Sequence, residues 1–426
     1  MNTYETANEP SHFDKTHAVM QLVSGYDFSH HSDRFLQYLQ KKNNLWAVAR
    51  EENRTMRRKE IVRNGQVLLE TCILQKAAEN QGREHCIRLS AGLDSNAILG
   101  VLSKAADTSS LSAITVGNPG ELDFDLPTRI AKEAGIRHFS FDFSICDWSV
   151  DALVKSAQMI GLPAPLPVGR RHLHITAMLK LGSGFAYWDG QAAPFCWQSP
   201  RGWHELSWED VAAILCGRKS FHRITARCPD LLDGIGFEEV RSMLPEKPWL
   251  EKQAIELWDQ GQLLVRQPNF IAPMRQVKGF EIVAPLYDDR LLSFALSVPT
   301  SVRVSGDFKR EVFAPLAVKG VSLAVIKQVI QAKNIAMKLN SRFQRKDDTA
   351  YAQAQFGVGA LHEHSVFRRL FDDCMAILVS EDLFSRTAMN SARDRFLRGA
   401  LDAWIFQRLV SIGINAIAIE QENRGY

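Results

Sequence analysis

His85–Asn96 has the sequence HCIRLSAGLDSN, and this stretch decides the fold. Its first part, His85–Leu89, is short and apolar enough to form a buried strand, and Ser90–Asn96 is a turn of small residues. The next segment, Ala97–Ala106, has helical character. A small-residue turn between a strand and a helix directs backbone amides and the helix N-terminus at a bound anion. The stretch therefore predicts a phosphate-binding loop.

Strands and helices alternate on both sides of this loop. An amphipathic helix is predicted before it, and two strands with a helix between them are predicted after it. Alternation at this spacing indicates an α/β fold, in which a parallel sheet is flanked by helices. The predicted elements are helix Gly65–Asn80, strand Leu111–Val116, helix Pro127–Ala134, strand Arg137–Phe143 and a further strand at Gly184–Trp188.

The two ends of the chain differ from this central part. Residues 1–64 predict an N-terminal helical extension, residues 65–315 the α/β domain, and residues 316–426 a mostly helical C-terminal portion. The first of these contains the charged stretch REENRTMRRKE at Arg50–Glu60. Its basic residues permit nucleic-acid binding, but acids alternate with them and favour a solvated helix.

Composition narrows the class of protein. The 426 residues are 46% hydrophobic and 23% charged, and 51 basic against 48 acidic side chains give a net charge of +3. This balance offers no electrostatic reason to expect nucleic acid or a membrane as partner. No long apolar run predicts a transmembrane helix, and the polar N-terminus does not resemble a signal peptide. Seven cysteines without a C-x-x-C pair predict reduced, buried thiols in a cytoplasmic protein.

The residue types of the loop suit a metal-bound polyphosphate. Ala91 and Gly92 allow the backbone to approach phosphate closely, and Ser90 and Ser95 offer hydroxyl donors. Asp94 would repel phosphate directly, but its oxygens suit Mg²⁺, which bridges to phosphate oxygens. The alternative is an ordinary strand-to-helix turn capped by Ser or Asp.

Ser90–Ser95 resembles the S-G-G-L-D-S loop of the asparagine synthetase family, a branch of the PP-loop ATP enzymes. Further stretches resemble that family in the same order, and the resemblance extends from about Gly65 to about Pro315. These stretches are AITVG at Ala113–Gly117, LPTRIAKEAG at Leu126–Gly135, DGQ at Asp189–Gln191 and GFEIVAPLYDDR at Gly279–Arg290. The resemblance implies a PP-loop, HUP-like nucleotide fold that takes ATP and Mg²⁺.

The resemblance also implies a reaction. Members of the family join a substrate carboxylate to the α-phosphate of ATP, which releases pyrophosphate, and an amine then displaces AMP from the acyl-adenylate. The backbone near Val116 contacts adenine in the family, and Asp94 is the implied metal ligand. The implied ATP-binding residues are Leu89, Ser90, Ala91, Gly92, Leu93, Asp94, Ser95, Val116, Gly117, Asp189, Gly190 and Gln191.

Two residues are implied in catalysis. Lys309, in SGDFKR, matches a lysine that stabilises charge on the reacting phosphates; alternatively it is a surface lysine beside Arg310. Glu281 matches an acid that helps to orient the group deprotonating the amine; alternatively it is a structural acid paired with a base such as Arg290. Asp288 and Asp289 are predicted to cap the helix that follows at Leu291.

The chain departs from the family in two places. Asn2 stands where glutamine-dependent members have a nucleophilic cysteine, and the 89 residues before Ser90 are too few for a glutaminase domain. The amine is therefore expected to be ammonia, a partner's product or a group on the substrate itself. After Gln191, the residues Ala192–Phe195 replace the family's second acidic group. Glu121, Asp123 or Asp125 would have to substitute for it, or catalysis is altered.

These observations lead to one main functional hypothesis and two alternatives. The first is an ATP-dependent, AMP-forming amide ligase that acts on a small molecule or peptide, with a homo-oligomer or partner protein left open. The alternatives are a catalytically degenerate nucleotide-binding or scaffolding protein and an enzyme that activates a nucleic-acid base, which the near-neutral charge disfavours. His172 and His174 beside Arg170 and Arg171 are expected to form an exposed basic cluster. Tryptophans between residues 145 and 275 are expected in the substrate wall or the core.

Overall fold

The computed structural model describes residues 14–24, 48, 51–117, 119, 122–161, 170–190, 207–232, 234–242, 277–299, 302, 307–318, 362 and 365–424. The strands are β1 Glu84–Arg88, β2 Leu111–Val116, β3 Arg137–Phe141, β4 Phe185–Trp188 and β5 Glu281–Val283. The helices up to β4 are α1 Lys15–Ser24, α2 Arg58–Glu79, α3 Leu93–Ala105, α4 Leu122–Glu133, α5 Val150–Ile160 and α6 Arg170–Leu181. The later helices are α7 Trp208–Leu215, α8 Arg218–Arg227, α9 Phe237–Ser242, α10 Asp289–Ser297, α11 Phe308–Phe313, α12 Ser365–Ser380, α13 Arg386–Leu397 and α14 Ala403–Asn423.

The five strands form one parallel sheet in the order β3-β2-β1-β4-β5. This confirms the predicted parallel α/β fold with helices around the sheet. Cys86 in β1 pairs with Ser112 of β2 on one side and with Tyr187 of β4 on the other. The chain therefore builds outward from β1 in both directions, and the order of connection reverses between β1 and β4. The strand β5 was not predicted, because three residues are too few to show a periodic pattern.

Both faces of the sheet are buried, as is usual for parallel sheets. Alternate strand residues enter two separate cores because successive side chains point to opposite faces. One core contains helices α1, α5, α6, α8, α9 and α12 to α14, and the sheet contributes Cys86, Ile114, Val116 and Tyr187 to it. The other contains helices α2, α3, α4, α10 and α11, and the sheet contributes Ile87, Ala113, Ala186 and Trp188 to it.

Several helices begin earlier than their apolar periodicity predicts. Helix α2 begins at Arg58 rather than Gly65, where Glu60 accepts a hydrogen bond from the Arg57 amide at 3.0 Å. Polar first turns of this kind carry no apolar signal, although they suit a helix start. Helix α4 also begins before its apolar pattern, and it includes Pro127. Proline has no N–H, so one carbonyl in the first turn of this helix does not receive its usual helical hydrogen bond.

The C-terminal portion described here is helical, as predicted, and the N-terminal helix packs against it. The guanidinium of Arg408 in α14 donates hydrogen bonds of 2.7 Å to the carbonyls of Leu22 and Val23 at the end of α1. A cation near the last carbonyls of a helix complements its dipole. Asn415 of α14 also donates to Gln21 at 3.2 Å. Residues 15–24 therefore pack against the C-terminal helices, although the sequence predicts a separate extension.

The described cysteines are free thiols, in agreement with the prediction. Burial raises the pKa of Cys86 and Cys216 to about 12, so these thiols stay protonated near neutral pH. Within the described residues, no helix is both long and apolar enough to cross a bilayer.

Helix α11 is held close to α3 by a glycine. A Cβ atom added at Gly100 of α3 would lie 2.1 Å from the carbonyl oxygen of Leu316 and 2.7 Å from the carbonyl carbon of Ala317. The backbone after α11 thus rests directly on α3. Since these are backbone atoms, they cannot move aside as the end of a flexible side chain could.

Gly100→Ala is expected to lower the free energy of unfolding by about 2 kcal/mol, because overpacking outweighs the better helix propensity of alanine. Urea unfolding followed by circular dichroism measures this change. Gly184→Ala is the matched control, since an added Cβ there meets no atom within 4 Å. An equal change in both variants would contradict the packing explanation.

Candidate functional site

The candidate site lies where the order of the sheet reverses. Strand β1 ends at Arg88 and continues into the Ser90–Ser95 loop, whereas its neighbour β4 ends at Trp188 and continues into Asp189 and Gly190. Open parallel sheets bind ligands in the crevice at the carboxyl ends of their strands, at such a switch point. The topology thus brings the predicted loop and the predicted Asp189–Gly190 segment to one edge.

The loop is held together by its own polar groups. The Ser95 hydroxyl lies 3.2 Å from both the amide nitrogen and the hydroxyl of Ser90, and it donates to the Gly92 carbonyl at 3.3 Å. Asn96 donates to the carbonyls of Gly92 and Ser90 at 2.6 Å and 3.2 Å. Ser95 is buried, so its hydroxyl serves the shape of the loop. The sequence interpretation missed Asn96, although an amide side chain in the first turn of a helix is a common tie to the preceding loop.

Helix α3 begins at Leu93, so Leu93, Asp94 and Ser95 form its first turn rather than part of the predicted turn. Gly92 is the N-cap residue and provides no side-chain hydrogen bond to that turn. Its backbone is extended, with φ of −74° and ψ of 151°, which any residue can adopt. Glycine therefore contributes the absence of a side chain here, not an unusual backbone conformation. An N-terminus without a side-chain cap leaves amide donors available to an anion.

Gly190 brings the second segment against this turn. A Cβ atom at Gly190 would lie 2.9 Å from the Ser95 amide nitrogen and 3.0 Å from the Ser95 Cα. Any side chain here would push the turn after β4 away from the start of α3. Gly190 therefore lies directly beside the Ser90–Ser95 loop. Gln191 and Ala192–Phe195 lie outside the described residues.

Lys309 and Asp94 meet at the entrance of the loop. The Lys309 ammonium lies 2.8 Å and 2.9 Å from the two carboxylate oxygens of Asp94. Helix α11 carries Lys309 into position, and Arg58 of α2 anchors this helix through two 3.1 Å contacts with Glu311. The lysine side chain is 30% exposed and that of Asp94 is 19% exposed. Both side chains are partly accessible to solvent, so a ligand from solution can reach the two charged groups.

The carboxyl end of β2 lies at the same edge. Val116 is buried there, and the amide of Gly117 donates to the Phe141 carbonyl at 3.2 Å. Thr115 donates to the Leu89 carbonyl at 3.0 Å and lies 2.9 Å from His138 Nε2. The predicted residues Leu89, Val116 and Gly117 are thus neighbours of the loop, as parallel strands require.

Glu281 does not join this group. It is exposed and begins β5, opposite Ala186, about 10 Å along the strand direction from the edge marked by Asp189. Its alternative partner Arg290 instead binds Asp288, with Nε–Oδ1 at 2.8 Å. Asp288 also accepts a hydrogen bond of 2.9 Å from the Arg290 amide, which confirms it as the cap of α10.

A buried ion pair lies at the carboxyl ends of β1 and β4, and the sequence interpretation did not include its cation. Arg88 Nη1 lies 3.2 Å from Asp189 Oδ2, and the two side chains are only 7% and 5% exposed. The signal was present, since Arg88 is a charged residue within the apolar run HCIRL. A charged residue at the end of a short strand is easily interpreted as a solvent-exposed residue at the boundary of the strand.

The expectation of an exposed cluster around His172 is wrong. His172 is buried, donates from Nε2 to the Asp147 carbonyl at 2.8 Å and accepts from the Ser156 hydroxyl at Nδ1, also at 2.8 Å. Trp148 packs on its ring with centroids 5.2 Å apart, so this tryptophan belongs to a core, as does the buried Trp188. Burial lowers the pKa of His172.

Stability is expected to fall as the pH drops below about 6.5, because unfolded histidine binds a proton that folded His172 resists. Protonation would also remove the Nδ1 acceptor that the Ser156 hydroxyl uses. His172→Gln should flatten the dependence of the thermal unfolding temperature on pH between pH 5 and 7. The exposed His222→Gln is the control, and the same flattening there would refute this origin.

The donors at this edge fit a metal-bound polyphosphate in type. Asp94 offers the carboxylate oxygens that Mg²⁺ prefers, and α3 and Lys309 offer positive charge to an anion. Among the described residues, no group of three or more His, Cys, Asp or Glu side chains is gathered as a metal site. Comparison with protein-family models and with curated proteins finds no match for this chain.

Proposed function

We propose that this chain is an ATP-dependent, AMP-forming amide ligase similar to the asparagine synthetase family. The contact between Asp94 and Lys309 carries the proposal. The resemblance selects these two residues separately, one as metal ligand and one as catalytic cation, and they lie 215 positions apart in the chain. An unrelated strand-to-helix turn gives no reason for a distant lysine to meet its aspartate.

Each residue at the edge has a role in this proposal. The amides at the start of α3 grip the phosphates, and Gly190 keeps the opposite wall close without a side chain. Lys309 stabilises the negative charge that develops as the bond between the α- and β-phosphates breaks. Asp94 would hold Mg²⁺, and the metal would supply positive charge against the phosphates. Since Asp94 contacts Lys309, ligand binding would exchange these partners for metal and phosphate.

The amine in this proposal does not come from glutamine. The nucleophile in the proposal is ammonia or an amine on the substrate itself. The acid is a small molecule or a peptide. An amine attacking the activated carboxylate then yields the amide and AMP.

A degenerate nucleotide-binding protein is the second candidate. The sequence favours it at one place, where Pro194 and Phe195 stand in the segment in which the family has its second acidic group. Neither side chain can bind a metal. Such a protein would bind ATP through the same loop and would release no pyrophosphate.

Formation of AMP and pyrophosphate from ATP, in the presence of a pool of carboxylic acids and ammonia, distinguishes these candidates. The ligase predicts both products, and Asp94→Ala should abolish them, because it removes the metal's carboxylate ligand. Asp151→Ala, an exposed aspartate in the first turn of α5, should leave turnover unchanged. Tight ATP binding without turnover would favour the binding protein, and ADP with phosphate would refute adenylation.

A further inference from the structure

Arg88 is an unexpected residue for its position. It ends β1, the central strand of the described sheet, and its side chain is only 7% exposed. Buried parallel strands are usually apolar throughout. Arginine stays charged at any physiological pH, so it cannot relieve the cost of burial by losing a proton. A charge kept here therefore calls for an explanation.

The Asp189 carboxylate does not satisfy Arg88 fully. Nη1 approaches Asp189 Oδ2 at 3.2 Å, yet within the described residues neither Nη1 nor Nε has a hydrogen-bond acceptor. Leaving donors of a buried charged group unfilled is costly, and almost all buried polar groups in proteins find partners. A purely structural ion pair would be expected to fill these donors. These open donors indicate an oxyanion ligand that the described residues do not provide.

The position of Arg88 separates this oxyanion from the phosphate loop. Arg88 pairs with Ile114, whose side chain enters the core of α5, α6 and α14. Helix α3 packs on the opposite face, in the other core. Because side chains alternate along strands, Arg88 points away from the face that carries α3. An anion on Arg88 would therefore be distinct from phosphates held at the start of α3.

We propose that Arg88 is the anchor of a carboxylate-binding site on this second face, next to the switch point. The guanidinium stays charged, and its unfilled Nε can donate a charge-assisted hydrogen bond to a carboxylate oxygen. Its occupant is a carboxylate of the acid substrate, an assignment that rests on the proposed ligase function. Before the acid binds, the Asp189 carboxylate balances the charge of the Arg88 guanidinium and orients it.

Isothermal titration calorimetry with acetate, succinate and benzoate, without nucleotide or metal, tests this site. At least one of these acids should bind the wild-type protein in the millimolar range, and Arg88→Met should weaken it about tenfold or more. Arg88→Lys keeps the charge and the pair with Asp189 but loses the Nε donor, so it should fold and bind with intermediate affinity. Binding of MgATP should change less than about threefold in both variants.

Three results would overturn the assignment. They are the absence of carboxylate binding to the wild type, equal binding to Arg88→Met, and a loss of MgATP affinity in Arg88→Met as large as the loss for carboxylates. The last would make Arg88 a phosphate ligand. If Arg88→Met does not fold because Asp189 loses its contact with Arg88, the double variant Arg88→Met/Asp189→Asn removes both charges and is used to repeat the carboxylate titration. Failure of MgATP to bind the wild type would count against the ligase alone.

Discussion

Lys309→Ala is expected to slow ATP-dependent release of pyrophosphate by about 10²–10³-fold, because a positioned charge acts most strongly on the charge that develops in the transition state. The ammonium lies 2.8 Å from Asp94 and is carried by α11, so it is already beside the loop before a ligand binds. Its effect should fall on kcat more than on the KM for ATP. Steady-state kinetics with a coupled pyrophosphate assay measure both constants.

The neighbouring arginine provides the matched control. Arg310 is half exposed and pairs with the exposed Asp307 at 3.3 Å, away from the loop, so Arg310→Ala should leave the rate within about twofold. Lys309→Arg keeps the charge but changes its position and should recover part of the lost rate. Equal losses in Lys309→Ala and Arg310→Ala would show that general positive charge, rather than Lys309, is responsible.

Asp402→Ala is expected to lower the free energy of unfolding by about 3 kcal/mol, since it removes a buried carboxylate that contacts the charge of Arg223. The carboxylate is 4% exposed and lies 2.9 Å from Arg223 Nε and 2.5 Å from Arg227 Nη1. Arg223 is itself only 13% exposed, whereas Arg227 reaches solvent and loses less. Together these contacts join α8 to the start of α14. Urea unfolding monitored by circular dichroism measures the change.

Asp372→Ala is the comparison for this prediction. Asp372 of α12 pairs with Arg393 of α13 at 2.7 Å, but both side chains are more than 40% exposed. Removing such an exposed pair should change stability by no more than about 0.5 kcal/mol. Should the two aspartate variants unfold at the same urea concentration, burial would not be what gives Asp402 its importance.

The sheet was largely predictable because its local pattern is strong. Strand β2 was predicted over Leu111–Val116 as observed, and β1, β3 and β4 differ from their predicted bounds by one or two residues. Apolar residues between small-residue turns leave few alternatives to a buried strand. The starts of α2, α3 and α4 were predicted too late, because polar first turns lack apolar periodicity.

The sequence allowed residues of the candidate site to be chosen, but it did not show which of them contact each other in space. The loop and the segment at Asp189–Gly190 could be chosen from the sequence, whereas the meeting of Asp94 with Lys309 depends on how α11 packs. His172 was expected in an exposed cluster, since consecutive basic residues do not reveal that one of them faces a core. Glu281 matches a motif, yet its register in β5 keeps it from the edge.

The sequence by itself determined the order of strands and helices up to β4, the small-residue turn at Ser90–Ser95 and the near-neutral net charge, since these depend on local pattern and composition. Only the tertiary structure decided the order of strands in the sheet, the union of Lys309 with Asp94 and the burial of Arg88 against Asp189. The physical reason is that the two side-chain contacts join residues about 100 and 215 positions apart. The local sequence pattern does not reveal such contacts, because they form only when the two cores pack around the sheet.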